Sequence, residues 1–579
     1  MSNISDVQFP TVIGRPGPPC TGRFCNLLRP GRFSCCAGVT TFAAVGPVAW
    51  DLRARSETTY DVTVSPDDVT GLSAGQVVKY IRRGHLSAER YVVQLLRRAE
   101  EEARLNAVIT LDPERLQREA RAIDATRARG GFLGPLAGLP FVIKDQIDVA
   151  GYPTTMGHPL FEPYIASRNA VIVDRITEAG GLVFAKTNCG PMVGGFAGRP
   201  LSAATNNNPY YGPARNPYDP ARMSGGSSGG NAVAIAAGLA PAGIGEDTGG
   251  SIRIPAAFCG VAGLRPSTFT AQNMLDGTRH KRYSDAGIIP PPGSTETLGP
   301  MARSVADLAL IDSVLTGQPT MNVRLNESRI GIPGSSYWET TVHDPDVRVM
   351  TQAVFAALSE AGAVLVEIPL QELCAQARAM PLRLGSSMDE FSAWLGEHLP
   401  DVTLDDVRRL QRRVPSQEGA QQQSVTGEAL PRASSERVVR DTLRRYNDIF
   451  QSNGLVALAF PSQLMTAPRV NAHEDRLDQE VEVAGQWVNE LSMLLSTTLW
   501  GAMLGAPSLS MPIGLSMGLP VGLMLQGMPG DDARILGLAA SVEQIWPSLP
   551  PPVLGTSQFG LATTTLHSRM SWQSSPNVE

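Results

Sequence analysis

The chain has 579 residues, 42% of them hydrophobic and 18% charged, and a formal net charge of −6. That composition supports a large buried core, and its acidic balance offers no basic field for nucleic acid. No apolar run reaches the roughly 18 residues that span a bilayer, so no membrane partner is expected. Seven cysteines over this length are no disulfide framework.

Residues 1–64 differ from the rest. Pro10, Pro16, Pro18, Pro19, Pro30 and Pro47 punctuate them, and Cys20, Cys25, Cys35 and Cys36 lack zinc spacing and a nearby histidine. In the first fifty residues Arg15, Arg23, Arg29 and Arg32 are set against a single acid, Asp6, which keeps organelle targeting open beside the expected cytoplasmic location. We read 1–64 as an extension, disordered or loosely attached, that does no chemistry.

A single large domain is expected over 65–547. Ser73–Arg83 and Ser87–Arg104 carry apolar residues at helical spacing, each opened by a serine N-cap. Asn106–Thr110 reads as a short strand and Pro113–Arg129 as an amphipathic helix. Pro140–Asp145 reads as a buried strand ending in Lys144, a position where a lysine is ordinarily solvated. Helix Ala170–Ala179 and strand Leu182–Lys186 form an αβ unit of the kind that builds an open sheet.

Met223–Pro266 is the centre of the chain. Its glycine-serine loops, SGGSSGG and GEDTGGS, flank one apolar, helix-length run, Ala232–Gly243. Alone, Ser224–Gly230 has a linker's composition. A linker joins segments that pack separately, whereas these loops are joined by residues that must be buried. Glycines beside serine in such a setting imply backbone at positive φ, with N–H groups turned toward something small. The P-loop lysine is absent, so the nucleotide version of that nest is disfavoured.

Further on, Thr297–Ser304 and Val305–Thr316 match, in the resemblance described below, a segment in which a helix follows a Gly-Pro turn. Arg329–Pro333 and Ala363–Ile368 read as strands around helix Val347–Ala361. Residues 372–453 are helical by periodicity and are expected as a substrate-shaping insertion over the cleft, interrupted by a mobile polar loop at Val414–Ser434. Leu455–Pro461 is a further buried strand, and Gly505–Pro512, Gly518–Gly527 and Asp531–Ile545 match, in the resemblance described below, two closing strands and a helix. The tail 548–579 is Ser/Thr/Pro-rich and expected to be disordered.

The central stretch resembles the amidase signature family, whose pattern runs GGSSGG and then GTDxGGSxRxPAAFCGxxGxKP. The likeness covers about Thr70–Pro333 and Ala457–Trp546. It implies an α/β fold with a central mixed, twisted sheet flanked by helices, and a serine hydrolase with a Ser–Ser–Lys triad. The nucleophile falls on Ser251, the bridging serine on Ser227 after a cis peptide at Gly226–Ser227, and the lysine on Lys144. Two departures stand out, Glu246 in place of the usual threonine and Arg265 in place of lysine.

Amide hydrolysis needs a nucleophile, a base that later protonates the leaving amine, and donors for the oxyanion. Ser251 would attack, its proton passing through Ser227 to a neutral Lys144, and burial among apolar residues favours that amine. Asp145 would oppose it only by turning inward, and strand neighbours face opposite sides. Thr248, Gly249, Gly250 and Ser251 N–H groups are the oxyanion donors. Asp247 and Arg253 form a supporting ion pair, and Met192 and Gly226 are assigned to substrate binding. No metal or cofactor is called for, and a homodimer is the assembly entertained.

Three other readings compete. Gly225–Gly229 satisfies G-x-S-x-G, the elbow of α/β-hydrolases, which would need a histidine such as His473 or His567. The related subunit of the glutamine-dependent tRNA amidotransferase usually carries glutamine where this chain has Ile254, and KPTYG where it has Arg265-Pro266-Ser267. A catalytically retired binding protein would have no reason to keep all three triad residues. Among substrates, the run from Leu105 to Thr155 looks most like the branch hydrolysing indoleacetamide and mandelamide, small aryl-substituted amides. Anilides and carbamates are the alternatives on the same machinery.

Overall fold

The computed structural model describes residues 69–191, 204–268, 281–290, 295–379, 388–407, 432–470, 479–546 and 549–554. The extension 1–64 with its four cysteines, Met192, the loop Val414–Ser434 up to residue 431, His473, His567 and the tail beyond 554 lie outside them.

Local sequence chemistry accounts for most element boundaries. Helix Ala74–Arg83 starts at a capping box, with Ser73 Oγ accepting from Gln76 N and Gln76 Oε1 accepting from Ser73 N. Helix Pro113–Ala128 has proline in its first turn after the Asp112 cap, and helix Val305–Thr316 runs from the Ser304 cap to Gly317 at φ 70°. Short runs of β-branched and apolar residues become the strands. In chain order these are β1 Val108–Thr110, β2 Pro140–Lys144, β3 Leu182–Thr187, β4 Ala242–Asp247, β5 Ala262–Arg265, β6 Thr297–Ala302 and β7 Arg329–Pro333. There follow β8 Val364–Ile368, β9 Ala457–Pro461, β10 Glu480–Val483, β11 Gln486–Asn489, β12 Ser508–Ser516 and β13 Leu519–Gln526.

Eleven strands form one mixed sheet in the order β1-β3-β2-β4-β6-β5-β12-β13-β9-β7-β8, and β10 pairs with β11 separately. Two parallel wings, β3-β2-β4 and β9-β7-β8, are joined through an antiparallel centre. Helices cover the sheet, making a single α/β domain. Strands β2, β3 and β4 are buried at every residue, which explains their near-continuous apolar sequence. Because β2 and β4 are parallel neighbours, Lys144 at the end of β2 and Glu246–Asp247 at the end of β4 emerge at one sheet edge.

Four expectations need correction. The run Ala232–Gly243 is not one helix: helix Gly229–Ala236 stops before Gly238 at φ 75°, Pro241 blocks its continuation, and Ala242 begins β4. Thr297–Ala302 is no turn but the strand β6 between β4 and β5, and Pro300 sits in it opposite Ile244. The range 372–453 is not uniformly an insertion. Helices Leu370–Arg378 and Arg432–Asn453 pack into the core with Phe460 and Trp500, and Tyr446 Oη donates to Gly527 O at 2.8 Å. Helix Met388–His398 alone packs on the loop after β2, through Phe391 and Leu395 against Met156 and Phe161. The expected tail also starts in order, since Tyr218 Oη donates to Pro550 O at 3.1 Å.

Gly230 shows why the first serine loop must be glycine-rich. A Cβ there would lie 2.2 Å from Asn188 O and 2.7 Å from both Ala107 O and Asn188 N, all backbone atoms that cannot swing away. Gly230→Ala is therefore expected to lower stability by about 1–3 kcal/mol, as overpacking does, read as a lower thermal midpoint. An unchanged midpoint would mean that helix Gly229–Ala236 does not seat this closely on β3.

Candidate active site

Lys144 is fully buried at the end of β2. Its Nζ donates to Ser227 Oγ at 2.7 Å, to Glu246 Oε2 at 2.9 Å and to Glu246 O at 3.3 Å. Ser227 is 1% exposed and follows a cis peptide from Gly226, with Gly225 at φ 71° turning the chain into it. Its carbonyl accepts from Gly190 N at 3.1 Å, and the next N–H, of Ser228, donates to Ser251 O at 3.0 Å. The two serine loops are thus tied together beside Lys144, and Ser251 is half-buried where they meet. No histidine among the described residues hydrogen-bonds to Ser227 or Ser251, and Lys144 is the side-chain partner of Ser227.

The surroundings of Lys144 are not the purely apolar ones expected. Glu246 is fully buried, and its carboxylate is oriented by Thr248 Oγ1, which donates to Oε1 at 2.7 Å. Asp145 does turn the other way, as strand alternation requires. It accepts from Thr155 N at 3.1 Å and from the Thr155 hydroxyl, and pairs with Lys186 of β3 at 3.0 Å. Burial pushes the Asp145 carboxyl up, and Lys186 and Thr155 counter that.

The Ser251 loop is organised by Asp247. Its Oδ1 accepts from Gly250 N at 2.8 Å and its Oδ2 from Ile252 N at 3.0 Å, while Arg253 bonds both oxygens at 2.9 and 3.0 Å. Arg265, the second departure, adds a further charge at 3.4 Å from Oδ1. Burial alone would raise the Asp247 carboxyl, but Arg253, Arg265 and the Ile252 N–H hold it at about 2. The same burial lowers Arg265 to about 10 against the pull of Asp247, so it stays a cation at neutral pH. Arg253 also donates to Thr498 O at 2.8 Å, and Thr498 Oγ1 to Gly249 O at 2.7 Å, which fixes the loop from its far side.

This arrangement corrects the donor set. The Gly250 N–H is spent on Asp247, so it is not an oxyanion donor. The N–H groups of Thr248, Gly249 and Ser251 meet no acceptor among the described residues. Gly226 sits in the cis peptide itself. Sequence reasoning missed Glu246 as a partner of Lys144, Arg265 as a partner of Asp247, and Thr498. The first two left a signal, being the positions where the chain departs from the family pattern; Thr498, some 250 residues along the chain, left none. The free cysteines Cys189, Cys259 and Cys374 are all buried, and burial pushes the Cys189 and Cys374 thiols up to about 12.

The fold and this edge of the sheet are those of a hydrolase acting on carbon–nitrogen bonds. The chain belongs to the amidase family, whose model matches residues 90–536. It is 32% identical to an indoleacetamide hydrolase of Allorhizobium ampelinum, over 82% of this chain and 97% of that one. It is likewise 32% identical to a glutamyl-tRNA(Gln) amidotransferase subunit of Halorhodospira halophila, over the same shares. Among solved structures, the peptide amidase of Stenotrophomonas maltophilia superposes with a TM-score of 0.65 at 26% identity, over 85% of this chain and all of that one. Among the described residues no helix is long and apolar enough to cross a membrane.

Proposed function

We propose that this chain is a serine amidohydrolase that cleaves carboxylic amides through an acyl-enzyme on Ser251. The contact of Lys144 Nζ with Ser227 Oγ, 2.7 Å in a fully buried setting, carries the reading. In this mechanism Ser251 Oγ attacks the amide carbon, its proton moves to Ser227 Oγ, and the proton of Ser227 moves to the amine of Lys144. The oxyanion meets the N–H groups of Thr248, Gly249 and Ser251. Loss of one such donor typically costs roughly 100- to 1000-fold. The same relay run backwards protonates the departing amine, and water then cleaves the ester formed on Ser251.

Small aryl or aralkyl amides are the proposed substrates. The likeness to indoleacetamide hydrolase supports this, as does the apolar wall beside the donors. Leu499 Cδ1 lies 3.3 Å and Leu495 Cδ2 3.9 Å from where a Cβ on Gly249 would stand. A carbamate or anilide hydrolase uses the same relay. An amidotransferase role is a second reading, supported by the 32% identity to the Halorhodospira protein. Against it, the position usually held by glutamine is Ile254, which is buried against Gly225 and Gly250.

A fluorophosphonate probe is expected to label the protein once per chain, with peptide mapping placing the adduct on Ser251. Labelling elsewhere, or none in an active preparation, contradicts the assignment. Turnover of aryl amides, anilides, carbamates and glutamine on the same preparation then ranks the substrate classes.

A further inference from the structure

The relay has a fourth polar group that its proposed chemistry does not use, the carboxylate of Glu246. Nζ of Lys144 faces three acceptors, Ser227 Oγ, Glu246 O and Glu246 Oε2, one for each N–H of an ammonium. An ammonium so saturated has no lone pair for the proton of Ser227. Both side chains are fully buried, so water does not screen the pair.

The other charges around this edge are already matched. Just after β2, Asp145 points to the opposite side and pairs with Lys186 of β3. On β4, Asp247 is held by Arg253 and by Arg265 of β5. Glu296 acts on Arg265 from the segment before β6, and the thiol of Cys189 after β3 is neutral, being pushed up to about 12. The serine loop Ser224–Ser228 contributes no charge. Among the described residues Lys144 is the one cation within ion-pair distance of Glu246. Losing the Lys144 proton with Glu246 ionised would leave the buried carboxylate without its direct ion-pair partner and with only the more distant charge of Arg265, which is disfavoured.

We infer that Glu246 is a positioning residue that holds Lys144 as an ammonium at rest and thereby sets the pH at which the amidase can turn over. The inference rests on the Ser–Ser–Lys reading above. The sign follows directly. The carboxylate favours the ammonium, the amine is the base, and so the rising limb of kcat/KM lies at higher pH than it would without Glu246. Threonine, the residue usual at this position, would leave the burial of Lys144 unopposed.

The test is the pH profile of kcat/KM for the wild type, Glu246→Gln, Glu246→Thr and Glu246→Asp, on whichever amide the substrate panel yields. Gln keeps the shape and an acceptor oxygen but loses the charge. An opposite charge at this range moves such an equilibrium by about 1–3 pH units, so the Gln and Thr limbs should lie that far below the wild-type limb. Below the wild-type limb, these two variants should be roughly tenfold or more faster than the wild type. Glu246→Asp, which keeps the charge, should stay closest to the wild-type profile. A purely structural role predicts an unmoved limb with a uniform change in rate. An unmoved or upward limb in Glu246→Gln overturns the inference, and so does loss of turnover at every pH by a protein whose thermal unfolding remains cooperative. Failure of the underlying relay is read on other variants, as turnover retained by Ser251→Ala or Lys144→Ala.

Discussion

Lys144→Arg is expected to be as inactive as Lys144→Ala at every accessible pH, with kcat/KM lower than wild type by roughly 100- to 10,000-fold, the range for losing a positioned base. The structure makes the arginine variant the more telling of the two. Lys144 Nζ pairs with Glu246 Oε2 at 2.9 Å, and a guanidinium can keep that ion pair while being unable to lose its proton. The variant should therefore stay folded and still lack a base. If Lys144 only neutralised Glu246, arginine would restore much of the rate that alanine loses. Steady-state kinetics from about pH 6 to 10, with thermal unfolding as a control for folding, separate the two outcomes. Substantial turnover by Lys144→Arg removes lysine from the mechanism and reopens the question of a histidine base.

Asp247→Asn should cause the largest loss of stability of any isosteric change at the site. The substitution leaves Arg253 and Arg265, both fully buried, without their shared counter-charge. Breaking a buried pair from one side costs about 3–5 kcal/mol, because the remaining charge is stranded. The cost also reaches activity. Asp247 accepts the Gly250 and Ile252 N–H groups on either side of Ser251, so its loss frees the loop that carries the proposed nucleophile. The pH dependence has a definite sign. The Asp247 carboxyl is held at about 2, below its ordinary 3.8. Its contribution to stability is complete above the ordinary value and disappears as pH falls through about 2. Denaturant titrations at pH 7 and at about pH 3 should show the gap between wild type and Asp247→Asn narrowing in acid. A variant with wild-type stability at pH 7 would mean that the two guanidiniums find other acceptors.

Much of the edge that carries the site is legible in the amino-acid sequence. The buried run of β2 ending in Lys144 and the two serine loops around helix Gly229–Ala236 are local patterns, and the cis peptide at Gly226–Ser227 follows from family likeness. Capping serines at Ser73, Ser87 and Ser304 mark helix starts because an N-cap acts within one turn. Strand β6 is easily misread because a Gly-Pro pair punctuates most sequences; Pro300 is accommodated because it lies opposite Ile244 of β4 but beyond the pairing with β5, which covers Met301 and Ala302. Helix Arg432–Asn453 is hard to place for a related reason. Its apolar face shows that it packs, but not against what, and contact with Trp500 and Phe460 is decided by chain folding.

What the sequence determined by itself is the set of groups and their immediate backbone: a lysine at a strand end, serines in glycine loops, an aspartate three residues before Gly250. These depend on propensities and sterics that act over a few residues. What only the tertiary structure decided is which charges meet. Lys144 and Glu246 are separated by 102 positions and Asp247 and Arg265 by eighteen, and neither pairing is implied by its spacing. They are brought together because β2 and β4 are parallel neighbours and because β5 returns beside β6. In a buried place, the identity of the nearest counter-charge governs the protonation state of a base, and that identity is a property of the folded sheet.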